Sequence, residues 1–178
     1  MDLAKEVTCA QSYKWDQTEW ALDRGCGRQE KPKFHVVAVD FGAKYNILRC
    51  LASSGCKVIV VPATSTAREI LAYEPNGVFL SNGPGDPEVV KGVPETIGKL
   101  IGKVPIFGIC LGHQLLGLAL GGTIKKGKVK IGDSIEIRPG KDTKKGLQPI
   151  KTKITTYNHK LSLDLSGILL NKIMNILS

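Results

Sequence analysis

The sequence predicts an α/β domain built on a doubly wound, mostly parallel sheet, and three observations predict it. Short β-branched runs recur from Phe34 onward, at 35–39, 58–61, 78–80 and 105–109. Between them lie stretches with apolar residues at helical spacing, as crossover connections require. Two glycine-containing segments, 82–86 and 108–112, fall at the carboxyl ends of strand candidates, where sheets of this class place their ligands.

Residues 1–33 are polar and irregular, with no sustained period of 2 or 3.6, and read as a linker or interdomain segment. His35-Val36-Val37-Ala38-Val39 is the first strand. A helix over 44–53 carries Ile47, Leu48 and Leu51 on one face and stops at Gly55. Val58-Ile59-Val60-Val61 is the second strand. Thr66-Ala67-Arg68-Glu69 fits a capping box opening a short helix that Pro75 ends. Val78-Phe79-Leu80 forms the third strand, a helix follows over 94–101, and residues 105–109 form the fourth strand before a further helix beginning near His113. The core thus covers 34–122. Residues 123–178 read as the remainder of the same domain, β-rich and diverged, with short antiparallel strands at Ser134-Ile135-Glu136-Ile137 and Lys151-Thr152-Lys153-Ile154, and a helix from Ile168 onward.

Composition narrows the function class. With 178 residues and 42% hydrophobic content the chain can bury one real core. No apolar run approaches the roughly 18 residues a membrane span needs, and the start lacks the basic-then-apolar order of a signal peptide. Five cysteines at irregular spacing, without a Cys-x-x-Cys pair, point to reduced thiols and no zinc site. A cytoplasmic protein is expected, with a plastid stroma as the alternative. The net charge of +9 lies mostly between Lys125 and Lys172, where eleven lysines and one arginine face four carboxylates. Aromatic residues make up only 6%, so this reads as a solvated basic face rather than a nucleic-acid surface.

The chemistry concentrates at Gly108-Ile109-Cys110-Leu111-Gly112-His113-Gln114. A nucleophile between a buried strand and a helix start, with glycines two residues to either side, fits a nucleophile elbow. The free amides and positive end of the helix favour the thiolate of Cys110. Its attack on a carboxamide generates an oxyanion that the Leu111 backbone N–H is placed to receive. A second donor is expected from the loop with Gly83 and Gly85, where missing side chains let backbone approach a substrate. Cys9, Cys26, Cys50 and Cys56 lack this setting and read as structural thiols.

The cysteine segment resembles the cysteine motif of the class I (triad) glutamine amidotransferases. Phe79-Leu80-Ser81-Asn82-Gly83-Pro84-Gly85-Asp86-Pro87, with Val39-Asp40-Phe41-Gly42-Ala43-Lys44 and Asn46-Ile47-Leu48-Arg49, is similar to the glutaminase domain of the carbamoyl phosphate synthetase small subunit. The resemblance is strong over 34–122, and 1–33 is similar to that subunit's interdomain stretch, the family's amino-terminal domain being absent ahead of it. It implies a flavodoxin-like doubly wound fold. It also implies that Cys110 forms a glutamyl thioester, that Gln114, Gly83 and Gly85 hold glutamine, and that Leu111 holds the oxyanion. Ammonia would pass to a large synthetase subunit for carbamoyl phosphate synthesis in the arginine and pyrimidine pathways. ATP and magnesium would be bound there, with no cofactor or metal in this chain.

The family's late His-Pro-Glu motif, source of the base and its carboxylate, does not occur in the sequence. His35 stands at the far end of its strand, and His113, three residues past the nucleophile, is expected to face the interior. Asn158-His159 resembles the family's Asn-His-Gly segment, so Asn158 joins the candidate glutamine ligands, and His159 reads as an exposed histidine or a substitute base. Two readings stay open: a glutaminase, and a catalytically incomplete module that binds glutamine or a synthetase subunit without turnover.

Overall fold

The computed structural model describes residues 1–122, 134–137 and 150–153. The chain divides near residue 124 into two units, taken here one at a time.

In the first unit the β-branched runs form the expected parallel strands. They are β4 (Phe34–Asp40), β5 (Cys56–Pro62), β6 (Gly77–Leu80) and β7 (Ile106–Gly108). Ahead of them come α1 (Leu3–Val7), β1 (Tyr13–Trp15), β2 (Gln17–Ala21) and β3 (Gly25–Arg28). The central sheet has the order β1-β5-β4-β6-β7, with β4 parallel to β5 and β6, and β6 parallel to β7. Among the four parallel strands the second thus lies outside the first and the third on its other side, the doubly wound arrangement with a topological switch between β4 and β6.

The pleat sorts side chains to two faces. Val36, Ala38, Val58, Val60 and Phe79 pack with Leu48 and Leu51 of α2 (Tyr45–Ser53). Val37, Val39, Ile59, Val61, Val78 and Leu80 pack with α3 (Ala67–Leu71), α4 (Val93–Leu100) and α5 (Leu111–Ala119), through Ile70, Ile97, Leu100, Leu111 and Leu115. Full burial of each such side chain contributes about 1.5–3 kcal/mol. The capping box at α3 is present in both directions: Glu69 N–H donates to Thr66 Oγ1 at 3.3 Å, and Thr66 N–H donates to Glu69 Oε2 at 2.7 Å.

Residues 1–33, expected to be irregular, instead carry regular structure. β1 pairs antiparallel with β5 and covers its outer edge, with Lys14 opposite Ile59. β2 and β3 form a separate antiparallel ribbon. The ribbon is held to α2 by Glu19 N–H donating to Ser53 Oγ at 2.9 Å and Arg49 Nε donating to Gln17 Oε1 at 2.8 Å. Of the second unit, β8 (Ser134–Ile137) and β9 (Ile150–Lys153) pair antiparallel, as expected for both segments. The helix expected from Ile168 onward lies outside the described residues.

Candidate active site at the carboxyl edge of the sheet

The parallel register brings four strand ends level. Asp40 is opposite Pro62, Val39 opposite Leu80, and Leu80 opposite Gly108. The chain leaving β4, β6 and β7 therefore meets at one edge of the sheet, beside the switch point.

At the end of β7 the backbone turns directly into α5. Cys110 occupies the N-cap position with φ 49° and ψ −113°, a conformation with positive φ that costs a side-chain-bearing residue roughly 1–3 kcal/mol. The turn holds because neighbours determine it. Ile109 N–H donates to the Leu80 carbonyl at 3.1 Å, Gly112 N–H to the Ser81 carbonyl at 3.1 Å, and Gln114 N–H to the Cys110 carbonyl at 3.0 Å. Both flanking glycines are required sterically. A Cβ at Gly108 would lie 2.5 Å from the Gly112 carbonyl carbon, and one at Gly112 would lie 2.7 Å from the Ser81 carbonyl oxygen. The result is an exposed Cys110 at the start of a helix.

Leu111 is the first residue of α5, with its side chain buried and its backbone at the open end of the helix. Gly83 lies against it: a Cβ there would stand 2.9 Å from Leu111 Cδ2 and 2.8 Å from Phe41 Cβ. Gly85, exposed with φ 98°, follows in the same loop. The structure thus brings together Cys110, Leu111 and Gly83, with Gly85 two residues further along the loop. Gln114 is exposed one turn past Cys110. Asn158 and His159 lie outside the described residues.

His113 departs from expectation. It is exposed, because the buried side of α5 is made by Leu111, Gly112 and Leu115. His35 stands at the opposite end of β4 from Asp40. Burial, and then the Lys57 charge, hold its imidazole below the ordinary value, against a hydrogen bond to the Tyr73 backbone. Its Nε2 is buried and has no hydrogen-bond partner among the described residues.

Three other thiols are held above their ordinary value. Burial pushes Cys56 up. Burial and the Asp40 charge do so for Cys9, and burial with Glu19 pushes Cys50 up to about 11. Burial and Asp40 likewise push the Tyr13 phenol up to about 12. No group of three or more His, Cys, Asp or Glu side chains able to hold a metal ion occurs among the described residues.

Sequence reasoning missed the supports of the site. Ser81, fully buried, accepts the Phe41 N–H at 2.8 Å and donates to the Asn82 carbonyl at 2.7 Å. Asn82 accepts the Lys44 N–H at 3.0 Å through Oδ1 and donates to the Gly42 carbonyl at 3.1 Å through Nδ2. The buried Asp40 carboxylate accepts the N–H groups of Cys9, Gly42 and Ala43 at 2.8, 2.9 and 2.7 Å. Short polar residues at the ends of β4 and β6 were the available signal, since such side chains fold back onto nearby backbone.

The family model described as glutamine amidotransferase class-I matches residues 37–175. A carbamoyl phosphate synthase small chain of Ruegeria pomeroyi is 54% identical over 173 residues, which cover 94% of this chain and 42% of that one. One from Ralstonia nicotianae is 54% identical over 165 residues, covering 92% and 42%. Among solved structures, a protein from Thermoplasma acidophilum described as a GMP synthase subunit is similar at a TM-score of 0.47 and 22% identity, covering 67% of this chain and 63% of that one. The chain spans about two fifths of the length of the curated relatives it matches. With the family model spanning most of its length, the chain belongs to the class-I glutamine amidotransferase family.

Proposed function

We propose that the chain is the glutamine-hydrolysing component of a carbamoyl phosphate synthase. The Cys110 thiolate attacks the side-chain carboxamide carbon of glutamine, and the oxyanion is held by the Leu111 N–H and the 83–85 loop. Collapse breaks the C–N bond, ammonia leaves with a proton from solvent, and water then cleaves the thioester to glutamate. Gln114 and Asn158 join Gly83 and Gly85 in holding glutamine. Ammonia passes to a large subunit that binds ATP and magnesium, in the cytoplasm, for arginine and pyrimidine synthesis; this chain needs no cofactor of its own.

The observation that carries this reading is the exposed Cys110, held at positive φ as the N-cap of α5, whose first residue Leu111 packs against Gly83 of the glycine loop. The names of the relatives support the choice of synthase. A second reading, an amidotransferase module without turnover, is favoured by one fact. The sequence holds three histidines, His35, His113 and His159, and none is followed by Pro-Glu.

Glutamine hydrolysis by the purified chain, measured as glutamate released, separates the two. Activity that Cys110→Ser abolishes supports the glutaminase. Absent turnover, together with alkylation of Cys110 by a glutamine-derived chloromethyl ketone, supports the module without turnover. A Cys110 that reacts no faster with that reagent than with iodoacetamide overturns both.

A further inference from the structure

A glycine loop sets its own backbone poorly, so the position of the 83–85 donors depends on whatever packs over them. Part of that cover comes from α1. Five residues are far too few to hold a helix in isolation, and α1 is fixed by its contacts. Ala4 is fully buried in the core cluster that contains Phe41. Leu3 lies over Gly85, its Cβ 3.6 Å from where a Cβ on that glycine would stand. Val7 covers Gly42, where an added Cβ would lie 2.9 Å from Val7 Cγ2 and 3.1 Å from Pro84 Cδ.

The exit from α1 is pinned twice. Thr8 Oγ1 accepts the Ala63 N–H at 2.8 Å, and the Cys9 N–H donates to Asp40 Oδ2 at 2.8 Å. The other oxygen of that carboxylate accepts Gly42 and Ala43 N–H, so one buried side chain joins the amino-terminal segment to the turn after β4. Asn82 then joins that turn to the glycine loop through Lys44 and Gly42. Gly83, packed between Phe41 and Leu111, ends the series at the helix that carries the nucleophile.

We infer that α1, latched by the Asp40 carboxylate, is a positioning strap for the 82–86 loop, with Leu3, Val7 and Asp40 as positioning residues. It rests on the amidotransferase reading for what the loop does, and on packing alone for what holds the loop. None of the three residues touches the reacting atoms. They fix the position of the 82–86 loop.

The test uses the full 178-residue chain with Leu3→Ala, Val7→Ala, their combination, Asp40→Asn, and Leu22→Ala at an exposed position as control. Two quantities are read: hydrogen exchange of the backbone amides of Asn82, Gly83, Gly85 and Asp86, and the rates of Cys110 alkylation by iodoacetamide and by the glutamine chloromethyl ketone. Strap variants are expected to speed loop exchange about tenfold while β5 amides stay protected. They should slow the chloromethyl ketone about tenfold, with iodoacetamide within about twofold of the unaltered chain, because only the former draws on oxyanion donors. Leu22→Ala should change neither. Unchanged loop exchange in every folded strap variant overturns the strap, whatever the alkylation shows. If Cys110 of the unaltered chain shows no preference for the chloromethyl ketone, the amidotransferase reading fails, and loop exchange still decides the strap. Should Asp40→Asn not fold, the two alanine variants decide, since Leu3 and Val7 are not part of the buried core.

Discussion

The Gly112 N–H donates to the carbonyl oxygen of Ser81 at 3.1 Å, joining the first turn of α5 to the end of β6. The bond requires backbone to approach backbone without an intervening side chain.

Gly112→Ala is therefore expected to destabilise the fold. The added methyl would meet the Leu80 carbonyl carbon at 2.6 Å and the Ser81 carbonyl oxygen at 2.7 Å, and neither can move as a side-chain tip can. Overpacking of this kind costs about 1–3 kcal/mol. Urea denaturation should show a lower midpoint with an unchanged slope. A midpoint equal to that of the unaltered chain would mean that α5 can shift away from β6.

Cys110→Gly should do the reverse for stability and remove reactivity. Glycine adopts positive φ without the steric cost that Cys110 bears at 49°. Against the roughly 1–3 kcal/mol of strain stands about 0.5–1 kcal/mol of extra chain entropy in the unfolded state, leaving a gain of roughly 1 kcal/mol. The variant should unfold at higher urea concentration and release no glutamate. A decrease in stability would show that the thiol makes a stabilising contact that outweighs its backbone strain.

His35 should make stability fall as the solution is acidified. Its imidazole is held below the ordinary value mainly by burial, so the unfolded chain takes up a proton first. Stability contributed by the neutral ring is complete above the unfolded value of about 6.5 and is lost progressively as pH falls below it, until the folded ring also protonates. Denaturant midpoints measured from about pH 7.5 to 5 should decline more steeply for the unaltered chain than for His35→Gln. Parallel curves would sink the assignment.

Much of the fold was legible because its central strands are buried on both faces and therefore read as β-branched runs. Residues 35–39 and 58–61 are such runs, and both form strands. The amino-terminal strands were not, because Tyr13-Lys14-Trp15 is too short to show a period. Its conformation comes from the free edge of β5, which its own sequence does not contain. In the site, Cys110, Leu111 and Gly83 could be placed because local spacing alone encodes an elbow and a glycine loop. The supporting bonds could not be placed. Phe41 with Ser81 and Lys44 with Asn82 are 40 and 38 residues apart, and only the sheet order makes them neighbours. His113 was misplaced for a simpler reason: the buried stripe of α5 runs through Leu111, Gly112 and Leu115, which leaves position 113 outside it.

The short antiparallel strand beside β5 also bears on how the molecule behaves in a crowded solution. An uncovered β5 would present a row of Val, Ile and Val backbone groups as a template for any passing strand. With β1 in place that margin ends in three residues, centred on the exposed Lys14. A brief, charged border of this kind is a poor seed for edge-to-edge assembly, so the same segment that contributes the strap also guards this edge of the sheet against self-association.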